Sequence, residues 1–123
     1  MIHLDTNFLI HALRAGTDED AKLRTWIAEG EPVGLSAMTW AESLCGPLGD
    51  DDKELAESLF PGIEPMTPVD SAKGAELFNA TGRRSRSLAD CLIAAAALRV
   101  GAKVATRNRT DFEPFIAHGL ALV

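Results

Sequence analysis

The first sixteen residues, MIHLDTNFLIHALRAG, decide how the fold is read. Ile2 to Leu4 is a short apolar run that Asp5 closes. From residue 7 the period changes: Phe8, Leu9, Ala12 and Leu13 recur at helical spacing, and Gly16 ends the stripe. Strand, turn and helix in immediate succession is the opening unit of an α/β chain.

The alternation continues outward from that unit. Residues 18–29 predict a helix with Ala21, Trp26 and Ile27 inward and Gly30 as its stop, followed by a second strand at 32–36. A third helix at 38–45 is broken by Gly46-Pro47. Residues 50–60 predict a helix whose three leading aspartates suit the positive end of its dipole, and Pro61-Gly62 closes it. A weak, proline-flanked strand at 64–67 precedes a helix from 70 to 81 and a basic loop at 82–86. The most regular helix is 87–100, where Leu88, Cys91, Leu92, Ala95 and Leu98 share one face and Gly101 marks the end. Strands at 103–106 and 120–123 complete the chain. No hairpin turn signal separates the strands, so the expected fold is α/β, a central parallel sheet flanked by helices on both faces.

With 123 residues and no repeat, linker or low-complexity tract, the chain is expected to be a single domain over 1–123. Charges or turn residues interrupt every apolar stretch, which argues against a membrane span or a secretory signal and for a cytoplasmic address. Cys45 and Cys91 are too few for a disulfide framework and form no C-x-x-C pair. Both are expected to be reduced and buried.

A net charge of −6 would disfavour a nucleic-acid partner if it were spread evenly. It is not. Residues 83–109 hold seven basic side chains against one acid, Asp90, a local charge of +6 that leaves −12 for the rest. Such asymmetry points to polyanion contact on one side of the molecule.

In open parallel sheets the working site lies at the carboxyl ends of the strands. Four acids belong near that edge: Asp5 after the first strand, Glu42 in the helix after the second, Asp90 in the first turn of the Ala-rich helix, and Asp111 beyond the strand ending at Thr106. Each has a plain structural reading. Asp5 suits a helix cap, Thr39-x-x-Glu42 and Ser87-x-x-Asp90 match the capping box, and Asp111 suits a final turn before Pro114. Singly, none is informative.

Together they resemble a family pattern. Asp5-Thr6-Asn7, then Glu42, then Asp90 ahead of Ile93-Ala94-Ala95-Ala96-Ala97, then Asn108-Arg109-Thr110-Asp111-Phe112 is similar, from end to end, to the PIN domain and within it to the VapC-like toxins. The resemblance implies a metal-dependent endoribonuclease, the toxin of a bacterial toxin–antitoxin pair that inhibits translation or growth. It implies Asp5 and Asp90 as direct ligands of Mg²⁺, or of Mn²⁺ in its place. Glu42 and Asp111 would bind a second ion or orient the attacking water, and Thr6 and Asn108 would support the ligands. It also implies an antitoxin partner and a homodimer.

The chemistry is coherent with that pattern. Carboxylates crowded together repel, and without a counter-charge one or more would hold a proton at neutral pH. Mg²⁺ and Mn²⁺ take oxygen ligands and keep several waters, so a few acids suffice. His3, His11 and His118 show no metal-ligand spacing, which disfavours zinc. A bound divalent ion lowers the pKa of a coordinated water and neutralises charge on a phosphodiester. Arg83, Arg84 and Arg86 precede Asp90, and Arg107 and Arg109 precede Asp111, so all five are candidate RNA contacts, against a solvated surface as the plain alternative. His3 is expected to be a buried or rim residue, and Trp26 and Trp40 packing residues. Among Leu9, Leu13, Trp26, Leu55, Leu59 and Phe60, some are candidates to line a partner groove.

Three rival readings fit less well. A receiver-type Mg²⁺-binding signalling domain needs an Asp ending a buried strand near mid-chain, where this sequence has Gly49-Asp50-Asp51-Asp52-Lys53-Glu54. An Asp-nucleophile phosphatase needs a second Asp at position 7, which is Asn7. A PIN-like module kept only for binding would be expected to lack an acid, and all four are present.

Overall fold

The computed structural model describes residues 1–46, 48–84 and 87–123. The elements run β1 (Ile2–Leu4), α1 (Thr6–Ala12), α2 (Asp18–Ala28), β2 (Val33–Gly34), α3 (Ala37–Cys45), α4 (Asp50–Leu59), α5 (Pro68–Ala80), α6 (Leu88–Val100), β3 (Lys103–Ala105) and α7 (Arg109–Phe112), with a 3₁₀ turn at Glu113–His118. The sheet order is β2-β1-β3, all parallel, with His3 opposite Gly34 on one side and Val104 on the other. The chain leaves β1 for one neighbour and later returns to pair on its other side, so the strand order reverses at β1.

Side chains alternate across the sheet and build a core on each face. Ile2, Leu4 and Ala105 join Phe8, Leu9, Leu23, Leu35, Ala56 and Phe60 on one side. Val104 joins Leu77, Cys91, Ile93, Ala94, Ala97, Phe112 and Phe115 on the other. The expected helices on both faces are therefore present. Trp26 stacks on Phe8 with ring centroids 5.6 Å apart, and Trp40 packs against the same cluster, so both tryptophans pack as expected. Between α5 and α6 the approach is close: a Cβ at Gly74 would lie 2.6 Å from Leu92 Cδ2.

Three kinds of expectation need correction. The strands foreseen at 64–67 and 120–123 shrink to single parallel bridges, Ser36 with Glu64 and Val104 with Leu122. Pro65 has no amide to donate, so pairing past Glu64 stops at once. Neither capping box foreseen from the sequence forms. Ser36, not Thr39, caps α3, and Ser87 makes no side-chain cap to α6. Cys45 is exposed at the end of α3, whereas Cys91 is buried. His3 is buried, yet its Nδ1 finds no partner among the described residues, and burial pushes the imidazole below its usual range.

A capping box forms instead at α5. Thr67 Oγ1 accepts from Asp70 N, and Asp70 Oδ2 accepts from Thr67 N. Asp70 is 1% exposed and also takes Arg99 Nε at 2.8 Å and Nη2 at 3.1 Å, while Nη2 reaches Glu64 at 2.8 Å. One arginine at the end of α6 thus ties the start of α5 to the edge of the sheet. Burial alone would raise the Asp70 carboxyl, but hydrogen bonds from Arg99 and Thr67 outweigh it and hold the group below its usual range.

Asp70→Ala should lose about 2–4 kcal/mol of unfolding free energy at pH 7, since it removes a cap and a charge-assisted fork together. A depressed carboxyl stabilises fully above its unfolded value, so the difference from the parent should shrink below about pH 4. Urea unfolding at pH 7 and pH 3 measures both, and equal stability at pH 7 would refute the tie.

Candidate active site

In a parallel sheet the residue after each strand and the N-terminus of each antiparallel crossover helix arrive at the same edge. That geometry gathers the four acids. Asp5 directly follows β1, Glu42 lies on α3 after β2, and Asp111 lies on α7 after β3. Asp90 sits in the first turn of α6, which runs back to feed β3. All four line one cleft with Thr6, Asn7, Asn108 and Phe112. Its volume is about 120 Å³, the space of a few waters at about 30 Å³ each.

Asp5 has two duties. Its Oδ1 accepts from Phe8 N at 2.8 Å and caps α1, so the helix-cap reading holds alongside a place in the cleft. Its Oδ2 accepts from the hydroxyl of Thr106, and Asn108 N donates to that same Thr106 oxygen at 2.9 Å. In the sequence Thr106 reads only as the end of a strand, with no role at the acids. The signal available for it was its position at the end of a strand paired with β1. Thr6 Oγ1 donates to Glu42 Oε1 at 2.7 Å, holding that carboxylate from across the sheet edge. Phe112 is buried against Phe115, and this anchor leaves its neighbour Asp111 at the rim.

The electrostatics are strained. Burial, and then the charges of Asp111, Glu42 and Asp5, push Asp90 up to about 7. Burial also raises Asp5, against the lowering by its hydrogen bonds from Thr106 and Phe8. Among the described residues no three His, Cys, Asp or Glu side chains converge into a ready metal cage. An all-oxygen set spread around a small cleft nevertheless fits a cation that keeps several waters, and the raised Asp90 marks where positive charge is missing.

The arginines divide. Arg83 and Arg84 are exposed ahead of α6, Arg83 with a left-handed φ of 55° and its Nε on Asn79 Oδ1. Arg86 lies outside the described residues. Arg109 donates to Val123 O at 2.8 Å, and Arg107 is engaged by Glu19 and His11. A second hollow, apolar and about 530 Å³, lies between α1, α2 and α4 and is lined by Leu13, Leu23, Ile27, Leu55 and Leu59 among others. Of the residues considered for a partner groove, Leu9 and Phe60 are core and Trp26 packs on Phe8.

A family model described as the PIN domain matches residues 2–113. The chain belongs to the PIN-domain family. The VapC ribonuclease Mb1587 of Mycobacterium bovis is 30% identical over 121 residues, which cover 92% of this chain and 90% of that protein. The ribonuclease VapC11 of Mycobacterium tuberculosis matches to the same extent. Among solved structures, FitAcB from Neisseria gonorrhoeae superimposes with a TM-score of 0.72 at 31% identity, covering 99% of this chain and 96% of that one. VapBC2 from Rickettsia felis, solved on a DNA fragment from its promoter, reaches 0.75 at 20% identity, covering 100% and 98%, and so speaks for the fold alone. The PIN resemblance read from the sequence is borne out. Mid-chain residues form α4 rather than a strand, which leaves the receiver-type reading without its phospho-acceptor position.

The metal-free protein carries a test of this electrostatic picture. A folded state that keeps a proton on Asp90 up to about pH 7, when the unfolded chain has released it near 4, loses stability as pH rises through that window. Asp90→Asn should flatten the slope and melt higher than the parent at pH 8 in EDTA. Parallel melting profiles for the two proteins from pH 5 to 8 would refute the crowding.

Proposed function

We propose that this chain is the ribonuclease toxin of a bacterial toxin–antitoxin pair, a Mg²⁺- or Mn²⁺-dependent endoribonuclease acting in the cytoplasm to inhibit translation or growth. The observation that carries the reading is the gathering of Asp5, Glu42, Asp90 and Asp111 around one small cleft at the switch point of a PIN fold. The names of the relatives, VapC ribonucleases, support the same chemistry. No helix of the described residues is long and apolar enough to cross a membrane.

Asp5 and Asp90 are the residues we assign to hold the cation, with Glu42 and Asp111 holding a second ion or orienting water. A bound Mg²⁺ or Mn²⁺ supplies positive charge for the phosphate oxygens and lowers the pKa of a coordinated water. Thr106 and the Phe8 amide fix both oxygens of Asp5, and Thr6 fixes Glu42, so the carboxylates are oriented before substrate arrives. No histidine or lysine lines the cleft among the described residues, and its titratable lining is the four carboxylates. Arg83, Arg84 and Arg86 are the phosphate contacts we favour, ahead of Asp90 on the basic segment.

The purified chain should cut RNA with Mg²⁺ or Mn²⁺, leave 5′-phosphate and 3′-hydroxyl ends, and stop in EDTA. Asp90→Asn should fold and lose at least about 100-fold in rate, because Asn keeps the shape but not the anionic ligand. End-labelled RNA separates the outcomes. A 2′,3′-cyclic phosphate, or cleavage undiminished in EDTA, would overturn the mechanism.

The apolar groove between α1, α2 and α4 is the seat we assign to the antitoxin. Ile27, Leu55 and Leu59 are 50%, 44% and 38% exposed there, more apolar surface than a solvated face needs. Structures of toxin–antitoxin complexes among the similar folds support a proteic partner. Leu55→Asp should leave RNA cleavage intact while weakening capture of the co-expressed antitoxin at least tenfold. Unchanged capture would move the seat elsewhere, whether to another partner surface or to the homodimer contact that the family resemblance implies.

A further inference from the structure

Arg107, one of the arginines read from the sequence as a candidate RNA contact, has its guanidinium engaged by two side chains. Its Nε donates to Glu19 Oε1 at 2.9 Å, and its Nη1 lies 2.8 Å from His11 Nε2. A guanidinium has no acceptor, so it donates to Nε2, and the ring then carries its proton on Nδ1, which donates to Asn7 O at 2.8 Å. Asn7, in the first turn of α1, lines the acidic cleft. So does Asn108, the residue after Arg107. The path from Asn7 through His11 and Arg107 to Asn108 therefore joins two residues that line the cleft.

We infer that Arg107 is a positioning residue that clamps the α1 wall of the cleft to the β3–α7 wall, with Glu19 on α2 as its anchor, and is not a contact for RNA. As a role in the reaction this rests on the nuclease reading above; the clamp itself does not. Arg107 lies between Thr106, whose hydroxyl holds Asp5 Oδ2, and Asn108, whose amide donates to Thr106. Any shift of the backbone at 107 is passed in one residue to the Asp5 partner and in another to the start of α7, which carries Asp111. Glu19 suits the anchor: its side chain is only 15% exposed, against 43% for Arg107. Backbone hydrogen bonding at the start of α2, and Arg107 itself, keep its carboxyl below the usual range and hence charged. Holding two points of a planar fork fixes orientation, which a point charge such as lysine does not do.

The two readings of Arg107 give opposite signs for one substitution. If Arg107 contacted RNA, Glu19→Ala would free it, strengthen RNA binding and steepen the salt dependence by about 0.7 for one added phosphate contact. If Arg107 clamps the cleft, Glu19→Ala and Arg107→Ala should each weaken Mn²⁺ binding and lower kcat by about 3–10-fold, less than the loss typical of a direct supporting residue, with KM and the salt slope unchanged. Arg107→Lys should recover only part of the loss. The experiment uses the full chain: calorimetric Mn²⁺ titration, cleavage kinetics, RNA binding in EDTA at several salt concentrations, and amide resonances of Asn7 and Asn108 in the metal-free protein. Both resonances should move in Glu19→Ala although Glu19 is remote in sequence from each. A lower melting temperature with parent-like Mn²⁺ affinity and parent-like amides would reduce the interaction to ordinary stability and overturn the inference, as would tighter RNA binding by Glu19→Ala. Should the parent neither bind Mn²⁺ nor cut RNA, the nuclease reading falls, and the amide shifts still decide the clamp.

Discussion

Asp5 accepts a hydrogen bond on each carboxylate oxygen, one from the Phe8 amide in the first turn of α1 and one from the hydroxyl of Thr106, just after β3. Its own amide donates to Ala105 O at 3.0 Å. The side chain thus joins the central strand, the first helix and the neighbouring strand at one point, and the cleft is assembled around that point. A capping role alone would use only one of its two oxygens. Asp5 is buried, caps α1 and lines the cleft, so the geometry of the cleft is fixed by the same bonds that close the sheet edge.

The cost of this arrangement is electrostatic. Four carboxylates around one small cleft oppose each other, and the strain collects on Asp90, which is raised to about 7. Folding tolerates the crowding because the surrounding bonds over-determine it: Thr6 on Glu42, Thr106 and Phe8 on Asp5, and the buried Phe112 under Asp111. Charge is handled differently at the far end of α6. There Arg99 pairs with both Asp70 and Glu64, so that cluster of charge is a tie, whereas the acids of the cleft face one another.

Basic residues are likewise sorted by what they touch. Segment 83–109 looks in sequence like one polyanion-binding stretch, but in space it is divided. Arg99 is committed to the buried Asp70 and to Glu64, Arg107 to Glu19 at the surface and Arg109 to a backbone oxygen, whereas Arg83 and Arg84 stand beside the helix that bears Asp90 with no carboxylate partner among the described residues. A local charge of +6 is therefore a poorer guide to nucleic-acid contact than what each of its members is paired with.

The order of strands and helices, the parallel sheet and the four acids were legible in the sequence, because period, punctuation by Gly and Pro, and the spacing of motif residues are local properties. Asp5 at a strand end and Asp90 at a helix start needed no tertiary information. What the chain alone left open was decided by contacts between residues far apart in it. Ser36 took the cap of α3 and freed Thr39 to donate to Leu4 O, thirty-five residues away. Asp70, which reads as an ordinary first-turn acid, became the buried partner of Arg99. Cys45 went to the surface because α3 ends there, and two expected strands became single bridges because Pro65 and the short edge segments could not extend a ladder. Thr106 and Arg107 gained their roles only when β3 was laid beside β1 and α2 came against the β3–α7 connection. Sequence periodicity reports which face a residue occupies within its own element; which partner waits on that face is set by packing of the whole.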